Sequence, residues 1–435
     1  MNPEMRCRIA HASGERITRP AEWGHPPGRF SLLGGGPGDK DDMAANARYQ
    51  NAARRLGATL LGALLACSDG GGPVVTGNYY VATTGSNLNP GTATAPFRTI
   101  QHAADVVNPG DTVIVRDGIY SSPITLERGG TSAAWVTFQA EHKWGAKLSG
   151  GDNTIREGWL FASGASYVRV EGFELYGFLE QGFSNFLGGQ NLAIVGNNIH
   201  DIGRYCNESS LGSEGVSSFH PHVTIEGNVI HDIGRFAPGE NGCVPTTTYY
   251  KDHDHPISLE DAAGDITIRN NIFYNMKRGY AIQLYGGTFE NVNIENNTFA
   301  FANPYTDGHI VVNASLVNSR IDNNIFYDPT NVAIVFAVSS HSNTTVRNNV
   351  AYPDTVSSGS TSGVTFSGNL PSTDPKLVNA STFDFHLQSG SPAIDTGLTL
   401  SDVTVDYDGH VRPQGAAYDI GAYEYVGSLR NSRQR

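Results

Sequence analysis

The chain has 435 residues, 51 of them Gly, with 16% charged and 39% hydrophobic residues. No apolar run is long enough to span a bilayer, so the composition excludes an integral helical membrane protein, a coiled coil and a charge-rich disordered chain. Lys and Arg number 29 against 42 Asp and Glu, a net charge of −13, which makes the protein a poor partner for nucleic acid and repels polyanionic sugars unless positive charge is concentrated locally or divalent cations intervene.

Residues 1–42 show no periodic pattern and read as an upstream extension, with Met43 the expected start. Arg48, Arg54 and Arg55 then precede an apolar stretch from Leu56 to Ala66, too short for a transmembrane helix. The ending Leu64-Leu65-Ala66-Cys67 resembles a bacterial lipobox. That resemblance implies an exported protein lipidated at Cys67 and held at the outer membrane or cell surface, or in the periplasm. A cleaved signal peptide with an incidental Cys is the alternative. Residues 68–77 read as a flexible tether. Cys206 and Cys243 fall in loops, and in an exported chain they are expected to pair.

The middle of the chain repeats. Short strands anchored at Val170, Ile194, Ile225, Ile268, Ile294, Ile321 and Val346 are spaced 24, 31, 43, 26, 27 and 25 residues apart. A quantum near 25 with excess in certain units predicts a solenoid with inserted loops. Three positions after the anchors stand Asn197, Asn228, Asn271, Asn297, Asn324 and Asn349, with Phe173 in the first unit. Asn tolerates a left-handed bend, and stacked amides can hydrogen-bond along a column. Alternating segments at 257–259, 282–284, 310–312, 334–336 and 364–366 predict a second strand before each anchor. Each coil therefore reads strand, turn, strand, Asn bend, short strand, variable loop.

This pattern resembles the right-handed parallel β-helix of the pectate-lyase-like superfamily, an all-β fold. Residues 78–120 look like the opening segment of many bacterial β-helix proteins, polysaccharide lyases among them, in which TIQHAADVV would be a cap helix with Ile100, Ala103, Ala104 and Val107 on the solenoid end. Residues 371–426 resemble a C-terminal module of such surface proteins, leaving a tail at 427–435 and a β-helix over 78–370. The resemblance is to an architecture, and a fold is not a function.

Equivalent positions in a solenoid stack into columns. Glu226, Arg269, Glu295, Asp322 and Arg347 form one, read as a structural ion-pair ladder. His200, His231, Tyr274, Tyr327 and Tyr352 form another, flanked by a basic stripe of Arg204, Arg235 and Arg278 with Lys277 beside it. Long insertions leave this corner at 203–215 and 234–255, and insertions on one side of a solenoid commonly wall a groove.

These residues support a monomer acting on an acidic polysaccharide by uronide β-elimination. Arg235 and Arg278 would neutralise the sugar carboxylate, His255 or Lys277 would be the base, and Tyr280 the acid. Arg204, Arg235, His231, Tyr250 and Lys251 would bind substrate, while Asp252, Asp254 and Glu260 could hold Ca²⁺. Glu260 and Asp254 could instead serve as a carboxylate pair for glycoside hydrolysis. A uronan epimerase and a non-catalytic, adhesin-like glycan binder are further alternatives on the same groove.

Overall fold

The computed structural model describes residues 77–206, 212–244, 251–261, 264–359 and 361–427. The expected leader, Cys67, and Tyr250 lie outside them. The described chain is a right-handed parallel β-helix with three long parallel sheets. The first sheet has eleven strands and carries the anchors; the second and third have nine each. Every coil runs from the second sheet through a short turn to the first, bends, adds a three- or four-residue strand of the third, and loops back.

The apolar alternation closes the core. Val170, Ile194, Ile225, Ile268 and Ile294 pair in register along the first sheet and are all but fully buried. Phe273, Phe299 and Phe326 stack inside the third sheet with centroids 4.7 and 4.9 Å apart. At the N-terminal end a helix, Ile100–Val106, buries Ile100, Ala103 and Ala104, with Val107 buried just past it. Thr99 caps the helix by accepting from the His102 amide at 3.2 Å.

The asparagines form the expected ladder. Asn297 shows the unit: its Nδ2 donates to Ile268 O at 2.8 Å and to Asn324 Oδ1 at 3.0 Å, while its Oδ1 accepts from the Asn271 backbone and side-chain amides at 2.9 and 3.0 Å. Phe173 begins the column by donating its amide to Asn197 at 2.9 Å. The ladder also continues past Asn349 to Asn369. This corrects one strand assignment: residues 364–366 belong to the first sheet, within Val364–Ser367, and the second sheet ends with Thr355–Gly359. Phe366 is an eighth anchor, with Gly368 and Asn369 following it as Gly227 and Asn228 follow Ile225.

A further row of asparagines, one residue before the ladder, turns outward. Asn270, Asn296, Asn323 and Asn348 adopt positive φ, and their amides hold the C-terminal module. Asn348 donates to Thr396 O at 2.7 Å, Asn323 to Leu398 O at 2.8 Å, Asn270 to Val405 O at 2.8 Å and Asn296 to Asp419 O at 3.0 Å. Earlier coils carry Gly196 and Gly227 at this position. The module also packs Leu377, Phe385, Leu387, Ile420 and Tyr423 on Ile272, Ala300, Ile325 and Val350, covering this stretch of the outer face of the third sheet.

Candidate functional site

Two of the three outer faces are spoken for. The module covers much of the third sheet. The first is laced by ion pairs: Arg269 to Glu226 at 3.0 Å, Arg320 to Glu295, and Arg347 to Asp322 at 2.6 Å. Arg320, outside the expected column, supplies the partner for Glu295. The second sheet remains, and the long loops enter it.

On this sheet Ser184, Ser217, Ser258 and Gln283 pair in register between inward positions such as Phe183, Val216, Ile257 and Ile282. They make the floor. Toward the loops, Gln181, Glu214 and His255 pair in register, and Tyr280 lies beside His255 in the next coil. On the other flank Glu260 pairs with Tyr285, with Phe219 and Phe186 at the equivalent places in preceding coils.

Glu214 is 7% exposed, and its carboxyl is pushed well above the usual carboxylate range. Burial is the main cause, the Glu260 charge adds to it, and a hydrogen bond from Gln181 at 3.1 Å opposes it. Glu260 accepts from Ser258 Oγ at 3.1 Å. A buried carboxyl whose pKa is raised by desolvation and by a second carboxylate is the arrangement that separates an acid from a base.

His255 is buried, and burial lowers its pKa to about 4, so the ring is neutral. His255 Nδ1 lies 3.0 Å from the Tyr280 amide and 3.2 Å from the Tyr280 carbonyl oxygen, which fixes the ring to the backbone of the next coil. Tyr280 stacks on it with centroids 6.1 Å apart, and burial first, then Asp252 and Asp307, push its phenol up to about 12. Gly279 permits this approach: at φ +61° it has no Cβ, which would stand 1.9 Å from Asp254 O.

The basic stripe is not a ligand surface. Arg235 and Arg278 are 0% and 1% exposed, and both face the buried Asp254. Asp254 also accepts from the Ser213 and Arg235 amides at 3.0 and 2.9 Å, fastening the two insertions to the strand His255–Glu260. Arg204 reaches Glu240 at 2.9 Å and stacks on Phe236. Lys277 pairs with Asp232 at 3.2 Å. His231 is stacked between His200 and Tyr274 at 4.9 and 4.5 Å on the third sheet. Cys206 and Cys243 are bonded, with Cα atoms 5.5 Å apart, tying the insertions together.

Among the residues expected to act, the structure therefore brings His255 and Tyr280 together on the loop side of the second sheet, places Glu260 at the opposite end of the same strand, and leaves Lys277, Arg278, Arg235, Arg204 and His231 in structural pairs. Lys251 and Asp252 are exposed at the entrance to the strand. Asp252, Asp254 and Glu260 do not form a cation cage: Asp254 is committed to arginines, and among the described residues no group of three or more His, Cys, Asp or Glu is arranged to hold a metal. Sequence reasoning missed Glu214 and Gln181. Their signal was the apolar alternation of residues 214–218, hidden because Ser218 stands where later coils have Leu259 and Leu284, leaving Val216 as the one bulky apolar residue of the strand.

Residues 79–223 match the family described as Pel9A-like, right handed beta helix region. A curated relative, the uncharacterized protein YwoF of Bacillus subtilis (strain 168), is 36% identical over 76 residues; the match spans 17% of this chain and only 16% of that protein. Similar solved structures include XylC in complex with xylose, at 14% identity over 66% of this chain and 68% of the other, TM-score 0.48. Pectate lyase Pel9A matches at 17% identity over 81% and 97%, TM-score 0.47. An alginate lyase from Paenibacillus sp. str. FPU-7 matches at 18% identity over 62% and 91%, TM-score 0.44.

Proposed function

We propose that the outer face of the second sheet binds a polysaccharide and hydrolyses its glycosidic bonds with Glu214 as acid and Glu260 as base. The observation that carries this reading is the buried Glu214, hydrogen-bonded by Gln181, on the sheet that also carries Glu260, with its carboxyl pushed above the usual carboxylate range by burial first and then by Glu260. Glu214 hands its proton to the glycosidic oxygen as that oxygen's bond to the anomeric carbon breaks. Glu260 takes a proton from the water that adds to the carbon. Gln181, half-buried on the loop side of the sheet, supplies a hydrogen bond to a sugar hydroxyl. Glu214→Gln is expected to cut release of reducing ends by about 100-fold or more with its melting temperature kept; undiminished release would sink the assignment.

The match to a Pel9A-like region favours a second reading, uronide β-elimination. It would use His255 and Tyr280 on the same face. Elimination leaves an unsaturated sugar that absorbs in the ultraviolet, whereas hydrolysis does not, so product absorbance separates the two. No step in either reading runs through Ca²⁺, since the expected ligands do not converge.

We further infer that the chain is exported and tethered through a lipidated Cys67, a reading that the Cys206–Cys243 bond supports because such bonds persist in oxidising compartments. Cells producing Cys67→Ser should fail to incorporate labelled fatty acid into the protein; retained label would refute the anchor.

A further inference from the structure

The geometry points to a substrate that is uncharged or carries amino groups, lying across the coils with its sugar faces on Phe186, Phe219 and Tyr285. This inference rests on the reading of the second sheet as a glycan-processing face. It reverses the expectation of an acidic polymer.

The first argument is charge. None of the nine strands of the second sheet contains Lys or Arg, whereas Glu157, Glu214, Glu260 and Glu290 all lie in them. The first sheet, by contrast, carries Arg169, Arg269, Arg320 and Arg347. Around the second sheet the arginines nearest the floor are already engaged, while Lys251 stands exposed at the strand entrance. Arg156 is held by Glu180 and lies 3.9 Å from Glu157. Arg204 is on Glu240, and Arg235 and Arg278 are buried against Asp254. A polyuronide would bring a carboxylate on every sugar to a sheet whose strands hold Glu157, Glu260 and Glu290 and no Lys or Arg, and like charges brought together at an interface are strongly disfavoured.

The second argument is shape. Ser184, Ser217 and Ser258 follow one another across coils in register, and two residues further along each strand stand Phe186, Phe219 and Glu260, followed by Tyr285 opposite Glu260. Alternation puts these four on the same face as the serines. The Phe186 amide folds back to Ser184 Oγ at 3.5 Å. The three rings are half-buried, and the serines beside them are buried. Coils repeat about every 4.8 Å, close to the length of one sugar unit in an extended glycan, so rings in this row can each underlie a sugar. Glu260 takes the ring's place in one coil. It thereby sits within the row of sugars, where a base must be. Aromatic platforms of this kind bind through apolar faces and are indifferent to a missing carboxylate.

The test uses the full chain with Glu214→Gln, to suppress cleavage, and the wild type run cold beside it. Both are run through native gels containing matched polymers: polygalacturonate and its methyl ester, carboxymethyl cellulose and hydroxyethyl cellulose, and partly acetylated chitosan. The expected result is retardation by an esterified, neutral or amino polymer at least about tenfold stronger than by any free-acid polymer at low salt, with Phe186→Ala and Tyr285→Ala each weakening it by about tenfold. Equal or stronger retardation by a free-acid polymer overturns the inference, and so does retardation by none. Cleavage is scored separately on the wild type. Hydrolysis of an acidic polymer would overturn the charge preference and leave the Glu214–Glu260 chemistry standing. Binding of a neutral polymer with no cleavage would do the reverse.

Discussion

At Glu214 the cost of burying a charge exceeds what a single amide can return, and the nearby Glu260 charge widens the gap. The two neighbours pull in opposite directions, which gives paired predictions. Glu260→Gln removes a repelling charge, so the pKa of Glu214 falls. Gln181→Met removes the stabilising hydrogen bond, so it rises and the alkaline limb of the activity profile moves to higher pH. An acid works while protonated, and its activity is lost as pH rises through its own pKa. Measuring kcat/KM against pH for Gln181→Met, and titrating the Glu214 carboxyl by infrared difference spectroscopy in Glu260→Gln, which lacks the base, checks the signs; a limb and a carboxyl that both stay put would remove Glu214 from the proton-donor role. The same scale explains the failed basic stripe. Arg235 and Arg278 sit one coil apart in a column with Arg204, but a column shows which residues stack and is silent on whether a buried Asp254 stands between them.

Within a coil the Asn bend does more than change direction. Each ladder side chain holds a carbonyl of the coil below and feeds the amides of its neighbours, so loss of one strands several buried groups at once. Asn297→Ala is expected to destabilise by about 3 kcal/mol or more, since each unsatisfied buried group costs about 1–3 kcal/mol. Urea unfolding measures it, and a change below about 1 kcal/mol would show that the bend carries itself without the ladder. These elements were legible because their periodicity is enforced by packing: Ile at an anchor and Asn three places on recur wherever the coil closes. The strand Glu214–Ser218 was not legible, because its Gly and Ser residues blur the alternation that marks it. Nor was the role of residues 364–369, whose Gly368-Asn369 pair repeats an earlier bend yet follows a segment grouped with second-sheet strands. Loop residues such as Lys277 offered chemistry without periodicity, and nothing in spacing alone reveals that Asp232 has claimed it.

Across the whole molecule, the C-terminal module is knit around a buried cation that also reaches the solenoid at Asn270. Arg412 donates to Glu424 at 2.7 Å, to the Gly421 and Ala422 carbonyls at 2.9 and 3.0 Å, and to Asn270 Oδ1 at 3.2 Å. Arg412→Met leaves Glu424 buried without its charge partner, a loss of about 3–5 kcal/mol. It should open residues 371–427 to protease while the coils before Asn270 stay protected; uniform protection would contradict this. The outward asparagines give that module a further meaning. Thr396 to Val405 walks back along the coils from Asn348 to Asn270, a span of about 14 Å at the pitch of a parallel sheet. The segment is a gauge cut to that length. A coil duplicated between Asn270 and Asn348 would throw every later amide out of step with its carbonyl, and one added among the glycine-turn coils would pull Lys143 from the Tyr407 ring that it covers at 4.7 Å. The solenoid is thus held to measure over the whole stretch that the module spans.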